Sequence, residues 1–338
     1  MKSIYIRLLL AIFIAGSAMP AMAQDPGFSQ YFSSPATVNP AFTGFFYGKT
    51  RIIGNYRRQW WGAGEPFTTS TVAFDMKGSS LGYNPFDFWA IGASALTDKS
   101  AGGLLKSNYF SFSGAYHKAL DEDGFQTIAA GFQGTYASRR VDLSNATFAS
   151  QFSSNGFDLN LPNGENYITG STSHFDVSAG LLYKYDDEEK SYYAGAALFH
   201  ATQPKESILN NTTNKVPTRM SFEVGASLPV GYNSKVFLSG LFQQQAGVLN
   251  YSAGGAYSFG LPTEQNDMSL YLGGWYSNAS LSPYIGLQFN SMQLGLTYDV
   301  VTTSMKAASK KNGSLELSLV YIFFGADADE GRKAVPQF

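Results

Sequence analysis

Apolar and polar residues alternate along most of this chain with a period of two. Phe175, Val177, Ala179, Leu181, Tyr183 and Tyr185 are interleaved with His174, Asp176, Ser178, Gly180 and Lys184, and Leu182 breaks the pattern. Phe222, Val224, Ala226 and Leu228 alternate with Ser221, Glu223, Gly225 and Ser227. Leu315, Leu317, Leu319, Tyr321 and Phe323 form a third stripe, and Phe110, Phe112 and Tyr116 a fourth, opposite Ser111, Ser113 and His117. Successive side chains of a strand point to opposite faces, so each run predicts a strand with one apolar face and one polar face. The runs are about 9–11 residues long, the length of a tilted strand that crosses a bilayer. They begin near Arg51, Thr68, Phe88, Lys106, Gln126, His174, Ser191, Thr218, Lys235, Val248, Met268, Ser280, Met292 and Gly313. That makes about fourteen strands, an even number in the range of bacterial barrels. The period and the glycines inside the runs exclude a helical bundle. A soluble β-sandwich alternates in the same way. Run length and the Tyr/Phe ends of the runs favour a single transmembrane antiparallel β-barrel over residues 50–324.

The connections give a separate reading. With both termini in the periplasm, every second connection is expected to be short. Asp121 to Gly124, Asp186 to Lys190, Gly231 to Ser234 and Asn290-Ser291 all fall on that side. The long stretches Asp142 to Ser173 and His200 to Pro217 fall on the other, as do two short ones, Gln245 to Gly247 and Ser277 to Ala279.

Composition supports the barrel. Charged residues make up 14% and aromatics 15% of the chain, against about 25% charged in ordinary globular domains. The net charge is −2, so no nucleic-acid partner is expected. There is no cysteine, which excludes disulfides, thiolate metal sites and acylation at Cys. The first residues read as a secretory signal: Lys2 and Arg7, then an apolar stretch from Leu8 to Ala15, then Ala21-Met22-Ala23. Small residues at the −3 and −1 positions place cleavage between Ala23 and Gln24. Residues 1–23 are thus expected to be a signal peptide. Residues 24–49, rich in Pro, Asn and Phe without long alternation, are expected to form a periplasmic lead-in or an interior plug. Asn39-Pro40 and Gly44 would supply its turns. Residues 325–338 are expected to be a periplasmic tail. The expected location is the outer membrane, with lipid as one partner.

Several segments also resemble a known family. Asp25-Pro26-Gly27-Phe28-Ser29-Gln30-Tyr31 follows the cleavage point, Asn39-Pro40-Ala41-Phe42-Thr43-Gly44 comes next, and then Tyr56-Arg57-Arg58-Gln59-Trp60. Near the far end stand Leu296-Thr297-Tyr298-Asp299-Val300, Gly313 to Leu319 and a closing Val335-Pro336-Gln337-Phe338. In this order they resemble the PorP/SprF proteins, whose last motif often has Cys where this chain has Val335. The resemblance implies an outer-membrane protein of the Bacteroidota type IX secretion and gliding apparatus. Its implied partners are secretion components and a large secreted surface adhesin.

No catalytic constellation emerges. His117, His174 and His200 lie on different runs without metal-ligand spacing. Gly92-Ala93-Ser94-Ala95-Leu96 lacks the second glycine and the following helix of a nucleophile elbow. Neither a catalytic residue, a cofactor nor a metal is expected. The acidic stretches Asp121 to Asp123 and Asp186 to Glu189 read as solvated turns, because they lack calcium-loop spacing. Arg57, Arg58, Arg139 and Arg140 sit near strand ends. One residue of each pair should point inward, toward carboxylates such as Asp75 or Glu223. Trp60, Trp61 and Trp89 fit an interfacial girdle. Phe28, Tyr31, Asn39, Pro40, Arg57, Arg58 and Trp60 are the residues singled out for plug or partner contacts. A non-catalytic secretion component is therefore one reading, and a passive porin is the other.

Overall fold

The computed structural model describes residues 24–325, apart from 62–65, 81–83, 144–145, 155, 159, 163, 165–168, 188, 209–213, 232, 263–266 and 305–312. The expected signal peptide and most of the C-terminal tail lie outside the described residues. Fourteen antiparallel strands close into a barrel. They are β1 (Thr50–Gln59), β2 (Phe67–Lys77), β3 (Phe88–Ser100), β4 (Leu105–Ala119), β5 (Gln126–Asp142), β8 (Thr169–Asp186), β9 (Ser191–Phe199), β10 (Arg219–Pro229), β11 (Ser234–Gln245), β12 (Val248–Pro262), β13 (Asp267–Ser277), β14 (Ser280–Phe289), β15 (Met292–Val301) and β16 (Ser314–Phe323). Two short strands, β6 (Phe152–Ser153) and β7 (Gly156–Phe157), form a hairpin in the connection from β5 to β8. Each barrel strand pairs with its neighbours in chain order, and β1 closes on β16. Among the described residues no helix is long and apolar enough to cross a membrane.

The alternation in the sequence becomes an alternation of faces. On β14, Ser280, Ser282, Tyr284, Gly286 and Gln288 are buried inside, while Leu281, Ile285 and Phe289 are exposed outside. On β8, Phe175, Val177 and Leu181 face out, while Asp176, Ser178 and Leu182 are buried. Leu182, out of pattern in sequence, belongs to the apolar cluster within the barrel. The outward row is what lipid would cover: Phe112, Phe132 and Phe175 are 72%, 65% and 77% exposed.

Thirteen of the fourteen strands start within one residue of the expected positions, and β8 is the exception. It begins at Thr169 rather than His174, because Thr169 to Ser173 still pair with β5, opposite Asp142 to Ser138. These residues have no apolar stripe, so the alternation criterion passed over them. One end of the barrel carries the connections at Asp121 to Gly124, 187–190, 230–233 and Asn290-Ser291, and is called here the short-turn end. The other carries 143–168 and 200–218, and is the long-loop end.

Candidate functional site

The interior is occupied by the chain itself. Residues 24–49 run through the barrel from the long-loop end to the short-turn end. They do so in three single turns of 3-10 helix, Tyr31–Ser33, Pro35–Thr37 and Pro40–Phe42. Pro35 and Pro40 each open a turn, where a missing N–H costs nothing. Asn39 caps the third turn through its side chain, which accepts from the Ala41 N–H at 2.8 Å.

The segment is anchored along its whole length. At the long-loop end, Gln24 accepts from Asn250 at 3.3 Å. The Asp25 carboxylate meets His200 Nε2 at 2.7 Å and Arg219 at 3.2 Å, and its backbone N–H donates to Gln245 at 3.0 Å. Next, Glu316 accepts the backbone N–H groups of Ser29 and Gln30, both at 2.8 Å. The Ser29 hydroxyl donates to Asp299 at 2.8 Å, and Arg57 bridges Asp299 at 2.8 Å and Glu316 at 3.7 Å while donating to the Gly27 carbonyl. Midway, Asn39 donates to the Leu181 carbonyl at 3.0 Å and to the fully buried Glu223. At the short-turn end, Gly44 N–H donates to Asp75 at 2.8 Å, and Arg51 pairs with the same carboxylate at 2.8 Å. His117 Nε2 meets the Thr43 carbonyl at 2.8 Å, and Tyr47 donates to Asp186.

Aromatic side chains fill the space between these anchors. The Phe32 ring lies 4.5 Å from Trp275 and 5.5 Å from Tyr284, centroid to centroid. Phe42 and Phe45 meet edge-on with Tyr193 at 5.5 and 5.6 Å. Two wall glycines let the backbone approach. A Cβ on Gly131 would lie 2.5 Å from the Ala41 nitrogen, and one on Gly180 1.9 Å from the Asn39 side chain.

Most residues singled out from the sequence meet here. Phe28, Tyr31, Asn39 and Pro40 are buried inside the wall. Arg57 points inward to Asp299 and Glu316 rather than to Asp75 or Glu223. Register is the reason: Arg57 stands opposite Glu316 in the pairing of β1 with β16, whereas Asp75 stands opposite Arg51. Arg58 is exposed on the outer face. Trp60 sits at the rim, its ring 5.2 Å from Phe67. Arg139 points inward to Glu206 at 2.7 Å. Gln24 is exposed at the mouth, and Ala23 lies outside the described residues.

The reading from sequence missed the wall aromatics Tyr193, Phe237, Tyr271, Trp275 and Tyr284, which form the apolar cluster with Tyr31, Phe42 and Phe45. They occupy inward positions where a water-filled pore would hold polar residues. Bulky rings on the polar stripe were the available signal.

Charge at the long-loop mouth is concentrated in Asp25, His200, Asp176 and Arg219. His200 lies between two carboxylates, with Nδ1 2.6 Å from Asp176. Burial alone would lower its pKa, but Asp176 and Asp25 outweigh it and push it up to about 9. Burial would likewise raise the Asp25 carboxyl, yet Arg219 and His200 hold it well below the usual carboxylate range. The raised His200 pKa stabilises the fold fully below about pH 6.5, and this is lost as pH climbs through about 9. The depressed Asp25 value contributes stability above its ordinary 3.8, lost as pH falls below that. The heat-denaturation midpoint in detergent should therefore fall between pH 7 and 10 in the native chain. It should change much less in His200→Gln. Parallel curves for the two would refute this assignment.

The chain matches the family described as type IX secretion system membrane protein PorP/SprF over residues 21–321. No curated protein matches it significantly. Among solved structures it is similar to the toluene transporter TbuX of Ralstonia pickettii, at 11% identity and TM-score 0.49, covering 85% of this chain and 92% of that one. A FadL homologue of Pseudomonas aeruginosa is 10% identical at TM-score 0.47, over 84% and 93%. The translocator domain of the autotransporter NalP from Neisseria meningitidis is 11% identical at 0.41, over 87% and 96%.

Proposed function

The chain belongs to the PorP/SprF family of type IX secretion system membrane proteins, and from that premise we propose that it is a non-catalytic, rigid fixed point in the outer membrane. In this reading it supports the secretion or surface anchoring of a large secreted adhesin. Residues 1–23 direct export and are removed, the short-turn end faces the periplasm, and the long-loop end faces the cell surface, as in other outer-membrane barrels.

The observation that carries this reading is the occupied interior. A passive channel needs a continuous water path. Here residues 24–49, held from Asp25 at one mouth to Tyr47 at the other, lie across that path, with a cavity left between Asp25 to Thr37 and the wall at Thr71, Ser111, Gln133 and Ser178. What the molecule offers to other proteins is then its two rims. Gentle detergent extraction from native outer membranes, followed by planar-bilayer recording, tests the proposal. A barrel without steady conductance that copurifies with a large surface protein supports it, and a steady open pore overturns it in favour of a porin.

Orientation has its own test. A cysteine at Gly156, in the hairpin of the long connection, should react on intact cells with a membrane-impermeant thiol reagent. A cysteine at Asp123, in a short turn, should stay unlabelled until the cells are opened. The opposite pattern inverts the topology.

A further inference from the structure

The barrel wall is not of even height. β8 pairs with β5 along its full length, from Thr169 to Tyr185, but with β9 only from Ala179 to Asp186. Ten residues of β8, Thr169 to Ser178, therefore stand beyond the end of that pairing at the long-loop end. At a rise of about 3.3 Å per residue this is roughly 30 Å of strand.

The direction of the backbone groups follows from alternation. Asp186 N–H donates to Phe125 at 2.8 Å, on the β5 side, whereas the Val177 carbonyl accepts from Ala201 at 3.0 Å, on the β9 side. Even-numbered residues of β8 thus bond to β5, and odd-numbered ones present both N–H and C=O to the opposite side. Among the described residues, Ser171, Ser173 and Phe175 have no backbone partner on that side.

Among the described residues, the neighbouring connection does not fill the gap. Its described residues on either side of 209–213 bond to one another, through Val216 N–H to Pro204 O at 2.9 Å and Glu206 N–H to Asn214 O at 3.1 Å. They are also drawn toward the lumen side, by Glu206 to inward Arg139 and by His200 and Thr202 to Asp176. Nor, among the described residues, is the edge blunted. Natural edges are blunted by Lys, Pro or a bulge, yet Thr169 to Ser178 contains neither Lys nor Pro, and its pairing with β5 runs without a skipped residue.

We propose that the free edge of β8 from Ser171 to Phe175 is a docking site for an extended strand of a protein partner, added antiparallel to β8 at the cell surface. The hydrogen-bonding pattern itself selects the occupant. Donors and acceptors repeat every second residue along a line, and only another extended backbone presents the complementary row. Ser171, Ser173 and Phe175 all point away from the lumen, so an added strand would continue the outer wall without entering the mouth. This deepens the proposed role by giving the partner's form, and it rests on that reading for the side of the membrane from which the partner comes.

Photo-crosslinking side chains placed singly at Ser171 and Ser173 in living cells test the site. The expected result is that both cross-link to one segment of one partner, two residues apart and in reverse order. Ser173→Pro should lower the cross-link yield from position 171 by roughly tenfold or more, because it removes an edge donor. The same variant should leave the heat stability of the barrel unchanged, since the Ser173 N–H makes no bond to β5. Products containing only lipid or a second copy of this chain, or products without register, overturn the docking site. So does a yield that Ser173→Pro leaves intact. A cysteine at Gly156, outside the docking edge, that resists labelling from outside overturns the orientation and, with it, the surface location. If it is labelled but the cross-links lack register, the docking site fails alone.

Discussion

Removing residues 25–46 should turn a closed barrel into a conducting one. With the segment in place, Phe32, Phe42 and Phe45 pack on Trp275, Tyr284 and Tyr193 across the lumen. Without it, a barrel of fourteen strands is wide enough to hold water, since eight are filled by their own side chains and sixteen leave a channel. Steady conductance should rise on the order of tenfold or more over the intact chain. The heat stability should fall at the same time, because Asp75, Asp299 and Glu316 lose their partners in the segment. Where the deletion fails to fold, Gly131→Val and Gly180→Val keep the chain whole and push against Ala41 and Asn39 instead. They should produce flickering openings and a lower denaturation midpoint. An intact chain that already conducts steadily, or a deletion that stays closed, would show that the segment does not seal the barrel.

The second large effect is a comparison of faces. Leu181 and Leu317 lie on the outer face, 58% and 47% exposed. Arg at either site near the bilayer midplane should cost roughly 2–4 kcal/mol. Taken alone, the polar stripe suggests that Arg at Ser178 or Ser318 would cost less, since a watery lumen tolerates charge. The packed interior reverses that expectation. Ser178 is 1% exposed, and the Ser318 hydroxyl donates to Gln30 at 2.7 Å. At Ser318 a guanidinium has neither water nor room, and at Ser178 it must enter a cavity bounded by Ala36, Leu96 and Phe199 beside the His200–Arg219 cluster, so the loss should match or exceed that on the lipid face. Urea unfolding from detergent or liposomes measures all four. If Ser178→Arg and Ser318→Arg are nearly neutral, the interior is wetter and looser than described.

The contrast shows what a period-two pattern reports. Alternation depends on the difference between the two faces. It located the strands closely because lipid demands an apolar row on every one of them, and Leu315 to Phe323 on β16 is an example. It is silent about what lies against the polar row. Serine lines a water-filled pore and a tightly bonded interior equally well, so Ser282, Ser239 and Ser318 do not distinguish the two. The long-range partners were hidden for another reason. Arg57 to Glu316 depends on barrel closure between the first and last strands, and no local pattern encodes which residue stands opposite which. The N-terminal segment was visible as a dense set of aromatics and motifs. Its path was not, because three isolated 3-10 turns leave no periodicity to read.

That path also carries information about time. Gln24 lies at the long-loop mouth while Lys49, where the segment joins β1, lies at the other, its N–H bonded to the Phe323 carbonyl. If the chain is delivered from the periplasm, as proposed above, Asp25 would have to be pushed through a finished cylinder before it could bond to Arg219 and His200. The simpler order is that the wall wraps around a segment already in position, with the β1 to β16 seam zipping last. In that order, whatever inserts this protein would hold a curved, open sheet around the segment until the final pair of strands meets.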